Sequence, residues 1–387
     1  MNQNPENCTF QQRFFSRFKR EKMALAGIVV ILFLILTAVY APLIANGVPL
    51  FIVSEGKCFF PAFAAMINPE SPERIIEKSF NFLIFYLPVL VLIFLYLPKW
   101  KGWACLITAV LLSVPFFCSS PRLDHTDWHK ATEEIRRSGG FVLRTPVPYG
   151  PFETLAKPYE KPSREHILGT DHSGRDVFAR LVYGARVSCA VGFAATLISI
   201  CIGTFLGLFA GYRGGRVDLY TMRAVEIVIC FPQFLLLLIL MSILLDYGSR
   251  QSILLVIGVI GLFGWTGLCR LVRGEVLKHR SMAYISAAES LGVPTGTLLL
   301  KHLLPNVSGP IFVTFSFEVA GAILAESSLS FLGFGVQDPV SSWGELMRQA
   351  FPDPVTYWHL ILWPGFAIFL AVCAFNFVGE GIRKAIS

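Results

Sequence analysis

Charged residues are scarce in this chain: they make up 15% of its 387 residues, whereas hydrophobic residues make up 54%. A soluble domain usually carries about 25% charged residues. So few charges do not cover the surface of a water-soluble protein, and the composition therefore predicts a membrane protein. The formal net charge of +7 is not a sign of nucleic-acid binding, because the basic residues lie in short clusters between apolar segments.

The sequence also lacks the motifs of the common nucleotide-binding and hydrolytic sites. It contains no Gly-x-x-x-x-Gly-Lys-Ser/Thr phosphate loop, no His-Glu-x-x-His zinc motif and no Gly-x-Ser-x-Gly nucleophile motif. We therefore expect a chain that is not an enzyme and that binds no cofactor itself. If the protein uses ATP, another subunit must hydrolyse it.

Cysteine and histidine spacing gives little sign of a disulfide scaffold or a metal site. Most of the nine cysteines fall in or beside apolar stretches, where a free thiol behaves as a small hydrophobic group. Cys58 and Cys118 lie where an external pair is conceivable, but ordinary buried thiols are the expectation. His125 and His129 share a helical face and suit a transition metal, yet incidental solvent-exposed histidines are much commoner, so no metal site is predicted.

Long apolar runs dominate what is present. A spanning helix needs roughly twenty apolar residues. The first run is too long for a signal-peptide core of roughly 7–15 residues and is predicted to be a retained helix. The third is short, but a hairpin with the second is favoured over a re-entrant loop. The eight candidates are Met23–Ile44, Phe80–Leu97, Trp103–Cys118, Val187–Gly211, Leu219–Leu245, Gln251–Val272, Asn306–Ala325 and Trp358–Val378.

The distribution of lysine and arginine predicts the orientation of these spans. With a cytoplasmic N-terminus, the segments on the inner side carry most of the basic residues, including the clusters at 13–22, 273–280 and 383–384, whereas the short outer loops carry only Arg250 and Arg348. Both termini are therefore expected in the cytoplasm.

Two regions are too polar to span a membrane, 46–79 and 119–186. The second contains an amphipathic helix, Trp128–Arg137, that ends at a Ser-Gly-Gly run. We expect a small external elaboration, partly helical and with little core of its own. The predicted division is 1–45 for the N-terminus and first helix, 46–186 for the external region with its inserted hairpin 80–118, and 187–387 for the main membrane domain.

The loop 273–305 between the sixth and seventh spans has the most informative local chemistry. Tyr284–Leu291 is predicted to be a short helix with a small apolar face formed by Ala287, Ala288 and Leu291. Gly292 suits the left-handed position after a helix, and a proline two residues later prevents continuation. Thr295 is expected to cap a second helix that stops at Pro305. On periodicity alone, a plain amphipathic connector explains the loop equally well.

A family resemblance favours the functional interpretation. Ser286-Ala287-Ala288, Gly292 and His302-Leu303-Leu304-Pro305 resemble the EAA loop of ABC importer permeases, which docks in a cleft of a separate ATPase subunit. Ser286 stands where that family usually has Glu. The resemblance implies that Ser286, Ala287, Ala288, Gly292, His302, Leu304 and Pro305 form the ATPase-coupling loop.

The resemblance extends over the N-terminal span and nearly all of 165–387. Segments 168–186, 211–218 and 328–344 are similar to dipeptide and oligopeptide permeases, and 17–45 fits their C-type subunit. The external region is closest to the microcin C-type peptide permeases, whereas the hairpin 80–118 departs from the family pattern. The implied fold is an all-α membrane protein, a type I ABC importer helix bundle of about six core spans plus this hairpin.

Three carboxylates fall in or beside predicted spans: Glu226, Glu318 and Glu326. An ionisable group in a span is a candidate for the translocation path. Glu326 begins a glycine-containing outer segment, 328–335, for which a re-entrant turn lining a cavity is one interpretation. Snorkelling to the interface or pairing with arginine are the alternatives.

The resemblance thus implies a permease subunit of the bacterial inner membrane. Expected partners are a second homologous permease, two ATPases that hold ATP and Mg²⁺, an external solute-binding protein, a peptide substrate and membrane lipid, with no nucleic acid. Alternatives are a permease for nickel complexes or another small solute, and a secondary transporter that uses the carboxylates. An enzyme is disfavoured by the absence of a clustered catalytic set.

Overall fold

The computed structural model describes residues 14, 16–54, 57–69, 71–96, 101–118, 126–246 and 253–386. Helices dominate, as the all-α prediction requires. In chain order they are α1 (Lys22–Val39), α2 (Ala41–Ile44), α3 (Pro61–Ile67), α4 (Arg74–Tyr96), α5 (Lys101–Phe117), α6 (Trp128–Arg137), α7 (Val177–Arg213), α8 (Gly215–Ile229), α9 (Gln233–Asp246), α10 (Ile253–Arg280), α11 (Ala283–Ser290), α12 (Thr295–Thr297), α13 (Leu304–Phe331), α14 (Trp343–Arg348) and α15 (His359–Ile386).

Six helical segments among the described residues are long and apolar enough to cross a membrane: α1, α4, α7, α10, the continuous stretch Thr295–Phe331, and α15. The predicted single span Leu219–Leu245 is instead two helices, α8 and α9, bent by 79°. Phe231 and Pro232 lie at this break, and proline lacks the N–H that a continuous helix needs. The short α5 follows α4 in the predicted hairpin, and residues 97–100 between them lie outside the described residues.

The chain forms two compact units. The first comprises Met1–Leu32, Val191–Leu329 and Ile368–Ser387. In it, α1 packs closely on α15: a Cβ at Gly27 would lie 2.6 Å from the carbonyl oxygen of Ala374. The Lys384 ammonium also lies 3.1 Å from the Glu21 carboxylate. The start of α1 and the end of α15 are therefore held side by side.

Glycines on α7 allow an equally close approach to α10 in the first unit. Gly203, Gly207 and Gly211 recur every four residues and so lie on one face. A Cβ at Gly203 would lie 2.8 Å from the carbonyl oxygen of Trp265, and one at Gly207 would lie 2.7 Å from that of Cys269. Small residues at such spacing bring backbones together in membrane helix pairs. This glycine face therefore fixes α7 against α10.

The second unit comprises Phe33–Ala190 and Ser330–Ala367. It contains a small antiparallel sheet, order β2-β1-β3, of strands β1 (Phe51–Ser54), β2 (Lys57–Phe59) and β3 (Phe141–Leu143). The sequence did not predict this sheet, because its strands are three or four residues long and β1 pairs with a strand far along the chain. The predicted helix α6 is confirmed, and Asp127 caps it by accepting the Lys130 N–H at 3.2 Å.

The hairpin helix α4 packs inside this second unit. Ile84 of α4 joins a buried apolar cluster with Val39 of α1 and with Ala62 and Met66 of α3. The Tyr86 hydroxyl donates to the carbonyl oxygen of Cys105 on α5 at 3.1 Å. The hairpin is thus attached to the first span and to the polar region after it.

Candidate functional site

The predicted helix–glycine–helix corner is present in the first unit. Its first arm is α11, which ends at Ser290, and Gly292 adopts the left-handed conformation with φ of +73°. The Gly292 N–H donates to the carbonyl oxygen of Glu289 at 2.9 Å, and the Val293 N–H donates to that of Ala288 at 3.1 Å. These two bonds form a Schellman motif, which satisfies carbonyls that a helix end leaves unpaired. The local prediction for Gly292 is confirmed.

The second arm differs from the prediction at both ends. Thr295 is the first residue of the arm, and Pro294 occupies the capping position. The arm passes through a π-helical turn, Leu298–Leu303, and continues through Pro305 into α13, so the expected stop at Pro305 is wrong. A proline in a regular helix removes one hydrogen bond and clashes with the carbonyl four residues earlier. The wider π turn contains that residue, Lys301, and ends two residues before the proline.

Burial separates the coupling-loop residues into two sets. Ala288 is buried, and Leu304 packs against the same apolar cluster, which also contains Ile285, Leu298 and Leu303 of the two arms. In contrast, Ser286, Ala287, Gly292 and Pro305 are exposed, and His302 is half-buried. Leu291 is 84% exposed. The predicted common face of Ala287, Ala288 and Leu291 is therefore wrong, because Ala288 points inward with Ile285.

Polar contacts connect the corner to its surroundings within the first unit. The Tyr212 hydroxyl at the end of α7 donates to the Glu289 carboxylate at 3.0 Å. Asn306 joins the arms by donating to the carbonyl oxygen of His302 at 2.6 Å and to the Tyr284 hydroxyl at 3.4 Å. Burial raises the pKa of Tyr284, although the bond from Asn306 acts the other way, so its hydroxyl stays protonated at neutral pH.

A forked ion pair stabilises the helices next to the corner. Arg273, near the end of α10, donates from Nε to Asp218 Oδ1 at 2.9 Å and from Nη2 to Asp218 Oδ2 at 2.5 Å. Such two-point arginine–carboxylate pairs are stronger and more directional than single bonds. This pair fixes α8 relative to α10, the helix that leads into the corner.

The three predicted path carboxylates have different surroundings. Glu226 is exposed and pairs with Arg223 at 2.7 Å, which is the arginine pairing that the sequence left open. Glu318 is half-buried and accepts a hydrogen bond from Ser199 Oγ at 3.0 Å, and Glu326 is fully buried beside Ser327. A contact of any of them with substrate remains a prediction.

The glycine-containing turn after Glu326 begins later than the sequence indicated, and its re-entrant character stays a prediction. Helix α13 continues to Phe331, and the following turn begins only at 332. Gly333 has a φ of +86°, and the Ser330 hydroxyl accepts the Val336 N–H at 2.9 Å. Residues 328–331, which the sequence placed in the turn, therefore belong to the helix.

The sequence missed a buried charge network in the second unit. Arg180 is fully buried and contacts Glu345 at 2.7 Å and Asp171 at 3.3 Å, and both carboxylates are also fully buried. Arg175 joins it through Asp171 at 2.7 Å and through Asp338. Asp171 and Arg175 are four residues apart, but they lie in a turn before α7, where helical spacing does not apply. The pairing with Glu345, 165 positions away, leaves no trace in local sequence.

The two other chemistries considered from the sequence, a disulfide bond and a metal site, gain no support. Cys58 and Cys118 are free thiols, but both are exposed, so their expected burial is wrong. Over the described residues, no group of three or more His, Cys, Asp or Glu side chains is arranged to hold a metal ion. His125 lies outside those residues, and His129 lies 3.3 Å from the Glu153 carboxylate.

The six long apolar helical segments indicate a multi-pass membrane protein. Comparison with known families agrees: the model described as "Binding-protein-dependent transport system inner membrane component" matches residues 203–387. The "N-terminal TM domain of oligopeptide transport permease C" matches residues 9–50. The chain belongs to this family of ABC importer permeases, which confirms the resemblance and the fold class.

Several known permeases are similar over most of their length. The oligopeptide transport system permease protein of Haemophilus influenzae is 43% identical over 222 residues, which cover 57% of this chain and 70% of the relative. The dipeptide transport system permease protein of Bacillus subtilis is 40% identical over 281 residues, 69% of this chain and 86% of the relative. The glutathione transport system permease protein of Pectobacterium atrosepticum is 39% identical over 227 residues, 59% and 74% of the two chains.

Proposed function

We propose that this permease subunit forms half of a translocation path for peptides and couples to a separate ATPase through the corner 283–305. The proposed coupling role rests on the division of the corner into a buried side and an exposed side. Ile285 and Ala288 attach it to the core, while Ser286, Ala287 and Leu291 are exposed at its tip. Small exposed residues around a fixed corner allow another protein to approach closely.

The proposed assembly contains a second homologous permease, two ATPase subunits and an external solute-binding protein. ATP and Mg²⁺ are held by the ATPases, and this chain contributes no chemistry. We place the corner and both termini in the cytoplasm of a bacterial cell and the bundle in its inner membrane. The basic residues at 273–280, 301 and 383–384 support this orientation, because cytoplasmic loops are rich in lysine and arginine.

The contacts around the corner give a route for ATP-driven motion. Closure of the ATPases displaces the docked tip, and the arms transmit that displacement because they are continuous with, or packed on, α10 and α13. The π turn and Pro305 lie where the second arm joins α13, and π turns are frequent at functional sites in helices. Rocking of the bundle then alternates access between the two membrane faces.

Peptide is the proposed substrate because two of the three relatives described above are named as oligopeptide and dipeptide permeases. The test is uptake of labelled peptides of two to eight residues by cells with and without this chain. We expect uptake of at least one peptide length to require the chain. Chain-dependent uptake of a nickel complex, with no peptide taken up, would reject the peptide assignment and leave the permease assignment intact.

A further inference from the structure

A cavity of about 1300 Å³ lies within the second unit. It exceeds the roughly 300–1000 Å³ of typical small-molecule pockets. Parts of the polar region surround it: α3, the small sheet, α6, the 150–153 segment and the first turns of α4 and α7. The two family matches cover 9–50 and 203–387. Most of the cavity wall is therefore built by residues that neither family model includes.

The wall is largely apolar but contains two amide side chains with an unused hydrogen-bond acceptor, and one carboxylate. Asn81 is 2% exposed and donates from Nδ2 to the carbonyl oxygen of Met66 at 2.8 Å, which leaves its Oδ1 without a partner. Asn68 Oδ1 is likewise buried and unpartnered. Glu77 also lines the cavity; its carboxylate accepts a hydrogen bond from Ser71, and among the described residues it forms no salt bridge. A buried acceptor without a donor is costly, so this wall favours a donor-rich ligand.

The cation in the same wall does not neutralise Glu77 by direct contact. Arg186 is 1% exposed, and its guanidinium donates to the carbonyl oxygens of Ala38 at 2.7 Å and Val39 at 3.0 Å. The Tyr183 ring lies 5.1 Å from it. Arg186 thus uses Nε and Nη2 on the backbone, while its Nη1 is buried without a hydrogen-bond partner. Its charge acts on Glu77, but among the described residues no salt bridge joins the two, so the Glu77 carboxylate remains available to a ligand.

We infer that this cavity binds a protonated primary amine attached to an apolar body, with the ammonium group held by Glu77, Asn81 and Asn68. An ammonium group offers three donors and a positive charge, which match one carboxylate and two amide oxygens. The free amino terminus of a short peptide has this chemistry, and its choice as probe rests on the proposed function. The headgroup of phosphatidylethanolamine has it as well.

The test compares trialanine with N-acetyl-trialanine, because acetylation removes only the charge and donors of the amine. The full chain is placed in nanodiscs of phosphatidylglycerol, and binding is measured by isothermal titration calorimetry. We expect trialanine to bind at least about tenfold more tightly than the acetylated form, as the loss of a buried charged hydrogen bond implies. Equal binding of the two peptides, or no binding of either, would overturn the inference.

A variant pair assigns the effect to the cavity. Glu77→Gln removes the charge at nearly constant volume and is expected to weaken trialanine binding about tenfold while leaving N-acetyl-trialanine unchanged. Glu133→Gln is the matched control, because Glu133 is an exposed residue of α6 that pairs with Arg137 outside the cavity. Equal effects of the two variants on trialanine would reject Glu77 as the ammonium site. The comparison of the two peptides on the unaltered chain does not depend on how the variants fold.

Two further arms separate the sources of the amine. If the phosphatidylethanolamine headgroup occupies the cavity, it competes with trialanine for Glu77, and trialanine binds more weakly in nanodiscs that contain this lipid. Unchanged binding assigns the cavity to peptides. Trialanine uptake by the assembled importer is measured in parallel. If the importer takes up trialanine but this chain binds the free and acetylated peptides equally, only the cavity inference is rejected. If this chain binds the free peptide more tightly but the importer takes up no trialanine, only the proposed function is rejected.

Discussion

At the residue scale, Gly292 is the position where backbone conformation matters most. Its φ of +73° lies in the left-handed region, and a Cβ there would meet no atom within 4 Å. A substitution therefore acts through backbone strain, about 1–2 kcal/mol for a residue with a Cβ, and not through a clash. The strain would reshape the corner while the helices around it remain packed.

We therefore expect Gly292→Val to leave the protein in the membrane but to lower ATP-driven uptake relative to ATP hydrolysis. Gly296→Val is the matched control, because Gly296 lies in the second arm of the same corner, also has open space around it and is not in the left-handed region. The measurement is uptake per ATP hydrolysed in proteoliposomes. Unaltered coupling in Gly292→Val would mean that the corner is only a connector.

Asp338 gives a pH dependence whose direction follows from its contacts. Burial alone would raise the pKa of Asp338, but the hydrogen bond and charge of Arg175, together with the charge of Arg180, hold it below the ordinary value. A carboxyl with a lowered folded-state pKa stabilises the protein above its unfolded-state pKa of about 3.9. That stabilisation is lost as the pH falls through the folded-state value.

The expected result is a difference in thermal unfolding temperature between the unaltered chain and Asp338→Asn that is constant from pH 7 to about pH 5. Below about pH 4 the difference should shrink, because the carboxyl becomes protonated in both states. A difference that shrinks between pH 7 and pH 5 would contradict the lowered pKa. Scanning calorimetry of both proteins in the same detergent makes the comparison.

At the scale of elements, the glycine face of α7 determines how closely two helices pack. A Cβ at Gly207 would lie 2.7 Å from the carbonyl oxygen of Cys269, closer than such atoms approach. Gly207→Ala is therefore expected to destabilise the protein by about 1–3 kcal/mol. Gly258→Ala on α10 has open space and should be neutral or stabilising by up to about 1 kcal/mol, since alanine favours helix. Equal melting temperatures for the two variants would contradict this packing.

One apolar side chain, Ile84, tests how the hairpin of α4 and α5 is attached. Ile84 is 5% exposed in the cluster with α1 and α3, whereas Val91 on the same helix is 54% exposed. Ile84→Ala is expected to cost about 2 kcal/mol, and Val91→Ala close to nothing. Thermal unfolding of the two variants in detergent makes the comparison. If Val91→Ala costs as much as Ile84→Ala, the hairpin is not held through this cluster.

The same elements show what could be predicted from the sequence. Apolar length located the long helices, and the Gly292 and Pro294 pair located the corner, because both signals act within a few residues. Pro232 broke a predicted span, while Pro305 did not end the second arm, since a π turn precedes it. The sheet and the contact of Arg180 with Glu345 join residues far apart in sequence, and no local pattern specifies them.

At the scale of the whole molecule, the proposed assembly places the energy source and the translocation path in different subunits. The sequence has no phosphate-loop motif, while the described corner offers an exposed tip on a fixed base. Glu318 is the carboxylate that a proton-driven transporter would use. Its hydrogen bond from Ser199 fits a structural role equally well. The two energy sources are therefore distinguishable only by transport itself.

The most direct test is uptake of a labelled peptide by proteoliposomes that contain this chain with or without its partner permease and ATPases. ATP is supplied on the side of the corner, and the proton gradient is collapsed with an ionophore. We expect uptake to require ATP and the ATPases and to persist without the gradient. Uptake by this chain alone, without ATP and dependent on the proton gradient, would contradict the account.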